Sequence, residues 1–172
     1  MYFEKFPKIQ YTNTEGGNTL IVTNILKRIG ARAAVKSQSS MFQKYSIRGS
    51  ESPEALAYDM YGDTQLHWMI LLVNDIYDRY HQWPMNVNQF QSYLADKYSN
   101  PNGVHHYEIS QSSGNSDITI NIGTDNTDYA SATLVTNFEY EEKEQDKLRQ
   151  IRLLQGNYVS QFIKEYEALQ SN

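Results

Sequence analysis

The residues best suited to hold a metal ion are four histidines, two of which are adjacent in the chain. Imidazole nitrogens are common zinc ligands, and His105 and His106 could supply two of them. Adjacent residues of a β-strand point to opposite faces, however, so these two rings are not expected to chelate one ion together. His67 is expected to pack beside Trp68, and His81 lies elsewhere in the sequence. The sequence therefore predicts no metal site.

Two groups of carboxylates could in principle support acid–base chemistry or bind calcium. Asp59 and Asp63 are close enough along one helix end to imitate a catalytic carboxylate pair. We expect Asp63 to cap a helix and Asp59 to be solvated instead. Residues 125–128 (Asp-Asn-Thr-Asp) have the look of a calcium loop, but the glycine and the closing glutamate of an EF-hand are missing. A polar turn is the better interpretation.

Nucleophilic and phosphate-binding motifs are also missing from the sequence. It has no Gly-x-Ser-x-Gly elbow and no glycine-rich phosphate loop, and Gly16-Gly17 alone indicates a turn. Cysteine is absent, which excludes thiol chemistry and a disulfide framework. We therefore predict that the protein is not an enzyme and uses no cofactor.

Charge and hydropathy exclude two classes of partner. The net charge is −5 and no basic stripe alternates with aromatic residues, so nucleic-acid binding is not expected. The longest apolar run, residues 68–73, is far shorter than the ~20 residues that span a bilayer, and the first residues do not resemble a signal peptide. We expect a soluble protein made in the cytoplasm, with no membrane partner.

Tyrosine is unusually frequent, at 14 residues against 6 Phe and 2 Trp. Its ring buries a large area and carries a polar hydroxyl, which suits protein interfaces. The same residues could equally fill the margins of a core. Both interpretations stay open at the level of sequence.

The strongest pattern of secondary structure lies between residues 45 and 74. Tyr45-Ser46-Ile47 alternates like a strand, and residues 49–52 form a turn. Pro53 suits the first position of a helix, and Gly62 suits its left-handed C-cap. Asp63 then caps a second helix, from Thr64 to about Val73, which is apolar almost all round and is predicted to be buried.

The segments before this region are less regular. Residues 1–22 predict an extended arm with a short strand, followed by a turn at residues 15–18. Thr23 is a plausible N-cap for a helix, and residues 36–44 predict a loop. The apolar face of that helix would consist of Ile25, Leu26, Ile29 and Ala33.

The C-terminal half mixes helices and strands. Asn86 is predicted to cap a helix that bears Val87, Phe90, Leu94 and Tyr98. Residues 105–109 and 118–122 predict a hairpin across residues 112–115, with a half-buried strand at Ile118, Ile120 and Ile122. A looser alternation follows at Leu134, Thr136, Phe138 and Tyr140. Residues 141–147 predict a solvated segment, and residues 148–154 suit either a strand or a helix. A final helix would bear Tyr158, Val159, Phe162, Ile163, Tyr166 and Leu169 on one face.

The segment from Tyr45 to Asn74 resembles the LysM signature, with its strand, turn, helix, glycine cap and second helix. LysM modules bind N-acetylglucosamine polymers, so the resemblance implies peptidoglycan binding as one function. After Asn74, residues 75–85 depart from the second LysM strand, which favours a scaffold kept for packing. The residues that carry the resemblance are Tyr45, Ile47, Gly49, Glu51, Pro53, Leu56, Ala57, Tyr61, Gly62, Asp63, Leu66, Trp68 and Asn74.

A wider combination of segments resembles the LysM-bearing baseplate wedge subunit of T4-like contractile-tail phages. These segments are residues 6–11, 22–25, 53–63, 66–75, 83–85 and 147–154. The resemblance implies a structural protein of the virion tail baseplate, assembled in the host cytoplasm, that joins neighbouring wedges around the central hub. It implies partners among the other wedge subunits, the hub or the tail-tube end, with several copies in a symmetric ring. It also favours a strand at residues 147–154.

We therefore expect an α+β fold with a small LysM-like strand-helix-helix unit, an extended N-terminal arm, an antiparallel hairpin region and a C-terminal strand plus helix. The expected divisions are residues 1–44 (arm and helix), 45–98 (LysM-like core and following helix), 99–140 (hairpin region) and 141–172 (C-terminal strand and helix). The residues expected to contact partners are Tyr2, Phe3, Phe6, Ile9, Tyr11, Trp83, Arg149, Arg152, Tyr158, Phe162 and Tyr166. A peptidoglycan-binding LysM module is the alternative.

Overall fold

The computed structural model describes residues 6–12, 17, 19–26, 30, 38–111 and 118–171. Helices and mainly antiparallel strands are mixed along the chain, which confirms the predicted α+β class. The chain divides into two compact units. The first unit comprises residues 1–47, 51–82 and 151–172, and the second comprises residues 48–50 and 83–150.

The described residues of the first unit form two short two-stranded sheets and four helices. Its strands are β1 (Lys8–Thr12), β2 (Thr19–Thr23), β3 (Phe42–Ser46) and β7 (Gln150–Leu154, within this unit from Ile151 onward). Its helices are α1 (Pro53–Tyr61), α2 (His67–Val73), α3 (Arg79–Gln82) and α6 (Gly156–Ser171). Single 3-10 turns span Ser39–Met41 and Thr64–Leu66.

Local capping explains the helical pair α1–α2. The Ser52 hydroxyl accepts a hydrogen bond from the Ala55 N–H at 3.2 Å, and Pro53 occupies the first helical position, as predicted. Gly62 ends α1 with a φ of 75°, a conformation that glycine adopts without strain. Asp63 accepts from the Gln65 N–H at 2.8 Å and so caps the 3-10 turn that leads into α2.

The strand that pairs with β3 is β7, which follows the second unit in sequence. The Asn74 side chain, at the end of α2, forms two hydrogen bonds with the backbone of β7, as a neighbouring strand would. Its amide nitrogen donates to the Arg152 carbonyl at 2.8 Å, and its amide oxygen accepts from the Arg152 N–H at 2.8 Å. The Tyr61 hydroxyl donates to the Leu154 carbonyl at 3.0 Å. Two residues of the LysM-like signature therefore hold a strand that is distant in sequence.

The core of the first unit joins β3, α2, β7 and α6. Its buried side chains are Met41, Phe42, Met69, Val73, Leu154 and Phe162. Trp68 packs beside α6, with ring centroids 4.4 Å from Tyr166 and 6.3 Å from Phe162. All residues of α2 are buried or half-buried, as predicted for a helix that is apolar on every side.

In the second unit, the residues outside the undescribed stretch 112–117 form a three-stranded antiparallel sheet and two helices. In chain order, these elements are α4 (Val87–Lys97), β4 (Val104–Ser110), β5 (Thr119–Gly123), β6 (Thr133–Thr136) and α5 (Asn137–Arg149). The order of the strands in the sheet is β5-β4-β6. Asn86 caps α4 in a capping box with Gln89, as predicted for the start of this helix. The predicted hairpin of β4 and β5 is confirmed, and the loop predicted at residues 112–115 lies outside the described residues.

Several sequence-based predictions in the second half of the chain are wrong. Phe138 and Tyr140 lie in α5 and not in a strand, because Thr136 and Glu139 form a capping box that starts the helix. The segment at 141–147, predicted to be solvated, is also part of α5 and buries Glu141 and Gln145. The helix continues to Arg149, so the strand begins only at residue 150.

Two predictions near the N-terminus are also corrected. Residues 42–44, predicted as loop, belong to β3, because Met41 and Phe42 are buried in the core. Thr23 ends β2 and caps no helix, and Ile25 and Leu26 lie in an exposed turn. Ile29 and Ala33 of the predicted helix lie outside the described residues, as does most of the predicted turn at residues 15–18.

Replacing Asn74 by alanine should lower the free energy of unfolding by about 1–3 kcal/mol, because the bonds to β7 and to the Ile70 carbonyl are lost. Urea unfolding of the full chain measures this loss. Asn157→Ala, at an exposed position of α6, is the matched control and should leave the midpoint nearly unchanged. Equal midpoints for the two variants would contradict the role of Asn74.

Candidate functional site

The turn at residues 49–52 is fixed by a side chain of β3. The Tyr45 hydroxyl lies 2.9 and 3.0 Å from the two carboxylate oxygens of Glu51. Tyr45 and Glu51 are both part of the LysM-like signature. The contact closes the turn on the preceding strand, so the loop that leads to α1 has a defined shape.

An ion pair joins the start of α1 to α3. The Arg79 guanidinium donates to Glu54 at 2.5 Å. Burial acts to raise the pKa of Glu54, but its own backbone N–H, the Ser52 hydroxyl and Arg79 outweigh that effect and lower the pKa. Both partners remain partly exposed, so the pair contributes modestly to stability. It holds the segment after α2 close to the first turn of α1.

The segment from Asp75 to Gln82, here called the tyrosine loop, is organised by its own polar groups. The Gln82 side-chain oxygen accepts from the N–H groups of Tyr77 at 2.8 Å and of Asp78 at 2.9 Å. His81 lies 2.5 Å from Asp78 and, as the largest cause, lowers the pKa of that carboxylate. The rings of Tyr77 and Tyr80 are 75% and 85% exposed. A fixed backbone thus presents two aromatic rings to solvent.

The hairpin of β1 and β2 has one apolar face. Ile9 pairs directly with Val22 and Tyr11 with Leu20, so these four side chains lie on the same side. Ile9, Tyr11 and Leu20 are 41%, 57% and 58% exposed, and Val22 is half-buried. None of the four carries a charge. This set is called the hairpin face below.

The other residues expected to contact partners have different surroundings. Phe162 and Tyr166 are buried within the first unit, and Tyr158 packs against its core. Phe6 and Trp83 are buried, and Tyr2 and Phe3 lie outside the described residues. Arg149 donates to the Gly49 carbonyl at 3.2 Å, and the Arg152 guanidinium lies 5.4 Å from the Phe42 ring centre. Partner contacts at all these positions remain a prediction.

A buried carboxylate ties α4 to α5 in the second unit. Glu141 accepts from Lys97 at 2.7 Å, from the Tyr98 hydroxyl at 2.7 Å and from the Tyr93 hydroxyl at 3.2 Å. Burial acts to raise the pKa of Glu141, but the bonds from Lys97 and Tyr98 outweigh it and lower the pKa. With its charge compensated in this way, the group has a structural role.

The two adjacent histidines do not point to opposite faces as expected. A register shift between Val104 and His106 rearranges the strand, and the two Nδ1 atoms lie 2.7 Å apart. His105 stacks on Tyr140 at 3.8 Å, and His106 Nε2 lies 3.1 Å from Glu108. Among the described residues no group of three or more His, Cys, Asp or Glu is arranged to hold a metal ion.

The described surface offers exposed aromatic and aliphatic side chains for contact. The tyrosine loop and the hairpin face both present exposed rings or aliphatic side chains. The exposed rings of the tyrosine loop were missed as site residues, although the density of tyrosine between residues 75 and 80 was a usable signal. No helix in the described ranges is long and apolar enough to cross a membrane.

Comparison with known proteins gives two matches. The family model described as "Base plate wedge protein 53" matches residues 1–116. A relative described as "Baseplate wedge protein gp53" of Enterobacteria phage T4 is 25% identical over 183 residues, which cover 96% of this chain and 93% of the relative. The match thus extends over nearly the whole length of both proteins.

Acidification should weaken the second unit through His105. Burial, and next the neighbouring His106, lower the pKa of His105 below its ordinary value of 6.5. The unfolded chain therefore binds a proton that the folded chain does not, so stability is full above about pH 6.5 and falls as the pH drops below it. Urea midpoints at about pH 7.5 and 5.5 should differ less in a His105→Gln variant than in the unaltered protein.

His67→Gln, in the first unit, controls for the loss of a histidine. Carboxylates with lowered pKa, such as Glu54 and Glu141, lose their contribution only below their ordinary value of 4.5, outside this window. If the stability of His105→Gln depended on pH as strongly as that of the unaltered protein, His105 would not be the source of the pH dependence.

Replacing Glu141 by glutamine should cost about 1–2 kcal/mol of unfolding free energy, because Lys97 loses its charged acceptor while its partly exposed ammonium stays hydrated. The matched control is Glu142→Gln, one residue further on, where the side chain is exposed. Chemical unfolding followed by tryptophan fluorescence measures the loss, with Trp83 in the second unit and Trp68 in the first. If both variants lost the same stability, Glu141 would not be the tie between α4 and α5.

Proposed function

The chain belongs to the base plate wedge protein 53 family, and we propose that it joins neighbouring wedges of the tail baseplate around the central hub through protein–protein contacts. It is a structural component of the baseplate wedge of a T4-like phage and so of the virion tail. The proposed partners are other wedge subunits and the hub or the end of the tail tube. We place its assembly in the host cytoplasm, in several copies within a symmetric ring.

The observation that carries the proposal is the hairpin face. An isolated two-stranded hairpin is at best marginally stable in water, so β1 and β2 gain stability when a third layer covers them. Covering Ile9, Tyr11 and Leu20 removes apolar surface from water at about 25 cal/mol per Å². A partner surface on the neighbouring subunit supplies that cover.

The tyrosine loop supports the same function by a different route. Its backbone is already held by Gln82 and its rings are exposed, so little conformational freedom is lost on binding. Tyrosine is enriched among residues that dominate binding energy at interfaces. Two separate contact surfaces on one subunit allow each copy to touch more than one neighbour, and repetition around a ring adds avidity.

We propose that the LysM-like segment, residues 45–74, serves packing. Its signature residues Tyr61 and Asn74 bind β7, and Tyr45 binds Glu51. Those contacts give Tyr45, Glu51, Tyr61 and Asn74 structural roles. The comparisons name a baseplate wedge protein and give no support to the peptidoglycan-binding alternative.

The double variant Tyr11→Thr/Leu20→Thr should abolish most wedge joining, since it removes two directly paired members of the hairpin face but keeps strand-forming residues. The matched control is Gln10→Thr/Ile21→Thr, a directly paired couple on the opposite face of the same hairpin. Each protein is mixed with purified wedges that lack it, and sedimentation with negative-stain microscopy counts closed rings.

We expect at least a roughly tenfold loss of rings for the first variant and near-normal numbers for the control. Circular dichroism checks that both variants fold. Normal ring formation by a folded Tyr11→Thr/Leu20→Thr protein would exclude the hairpin face as the joining surface.

A further inference from the structure

Three exposed tyrosines lie around the ion pair that joins α1 to the tyrosine loop. Tyr58 follows Glu54 by one turn of α1, so both are on the same side of the helix. Glu54 binds Arg79, and Tyr80 is the next residue of the loop. The rings of Tyr58, Tyr77 and Tyr80 are 61%, 75% and 85% exposed, so the chain itself leaves them open. These three residues are called the tyrosine surface below.

The segment that carries the tyrosine surface is acidic. Residues 51–82 contain six Asp or Glu and one Arg, a net charge of −5. Asp59 and Asp78 are exposed, and each follows a residue of the tyrosine surface in the sequence. The Tyr77 hydroxyl donates to the exposed Asp75 carboxylate at 3.1 Å. Aromatic rings and carboxylates are therefore interleaved on this part of the first unit.

The positive charge of the chain is concentrated before this segment. Residues 1–50 contain eight Lys or Arg and two Glu, a net charge of +6. Residues 27–36, here called the basic segment, contain no acidic residue. Apart from Gly30, they lie outside the described residues. The positive charges of the basic segment are those of Lys27, Arg28, Arg32 and Lys36.

We propose that the tyrosine surface of one copy of this chain binds the basic segment of the next copy. Arginine stacks on aromatic rings and pairs with carboxylates, and the tyrosine surface with its neighbouring aspartates offers both groups. Because the rings are open in the single chain, the occupant comes from another molecule. We rest this on the proposed function, since it names the neighbour that the tyrosine loop contacts.

A contact of this kind suits a ring. It joins two different surfaces of identical subunits, so the subunits follow one another head to tail, and the series closes when the rotation between copies allows. A contact that matched one surface with itself would end at a dimer. The proposed contact therefore lets one chain type meet a neighbour on each side.

Local charge favours the contact although each copy has a net charge of −5. The two surfaces that meet have opposite signs, and charges further apart than about 8 Å are largely screened at physiological salt. Aromatic side chains bury about 150–250 Å² each, so three rings at these exposures supply roughly 330–550 Å². The exposed aspartates extend this area toward the ~800 Å² per partner of a standard interface. We expect a dissociation constant of about 1–100 µM that rises with salt.

Sedimentation equilibrium of the full chain, over roughly 1 µM to 1 mM and at about 0.05 and 0.5 M NaCl, tests the proposal. We expect oligomers larger than a dimer that weaken at the higher salt concentration. Asp59→Lys/Tyr80→Lys adds positive charge to the tyrosine surface and should raise the dissociation constant at least about tenfold. The matched control Gln91→Lys/Asp96→Lys adds the same charge at exposed positions of α4 and should associate no more weakly than the unaltered protein.

Mixing two defective variants identifies a head-to-tail contact. Arg28→Glu/Arg32→Glu reverses two charges of the basic segment and should by itself stay monomeric where the unaltered protein associates. Mixed with Asp59→Lys/Tyr80→Lys, it should form dimers and nothing larger, because each variant keeps the surface that the other lacks. Circular dichroism checks that both variants fold.

Three results would overturn the proposal: an unaltered protein that is monomeric throughout, an association that stops at dimers, and a mixture of the two folded variants that stays monomeric. The ring count with purified wedges separates such a result from the proposed function. If copies do not bind one another but rings still close, wedge joining stands and the tyrosine surface contacts a different protein.

Discussion

The pairing of β3 with β7 is the constraint on which the first unit depends. The two strands are separated in sequence by α1, α2 and the whole second unit, so no local signal brings them together. Asn74 and Tyr61 bind the backbone of β7 directly, and Leu154 places the strand in the core. Through β7 the chain also positions α6, whose Phe162 completes the same core. This closure therefore brings β3, α2, β7 and α6 together around one core.

The sequence predicted well the helix starts and ends that depend on a few neighbouring residues. Pro53, Gly62 and Asp63 act where their backbone preferences and capping groups require, and Asn86 starts α4 for the same reason. The capping box of Thr136 and Glu139 was an equally local signal, but an apparent alternation of apolar residues outweighed it. A helix cap depends on residues that are close together in the chain, so it can be predicted from the sequence.

What could not be predicted depends on contacts distant in sequence. Glu141 lies in a run of charged residues, and only the approach of α4 shows that Lys97 and Tyr98 surround it. The two adjacent histidines meet because β4 shifts register against β6, which periodicity does not reveal. The same limit applies to burial: the pattern of α6 predicts an apolar face, but only the structure shows that Phe162 on this face packs with Met69 and Leu154.

The position of β7 and α6 after the second unit also governs when the protein can fold. During synthesis, the first unit cannot close its core until residues as far as Phe162 have left the ribosome. The second unit, by contrast, is nearly continuous in sequence, and its described elements include the β4–β5 hairpin and two helices. The inserted unit therefore has the opportunity to fold first. The order of translation thus supplies a folding order.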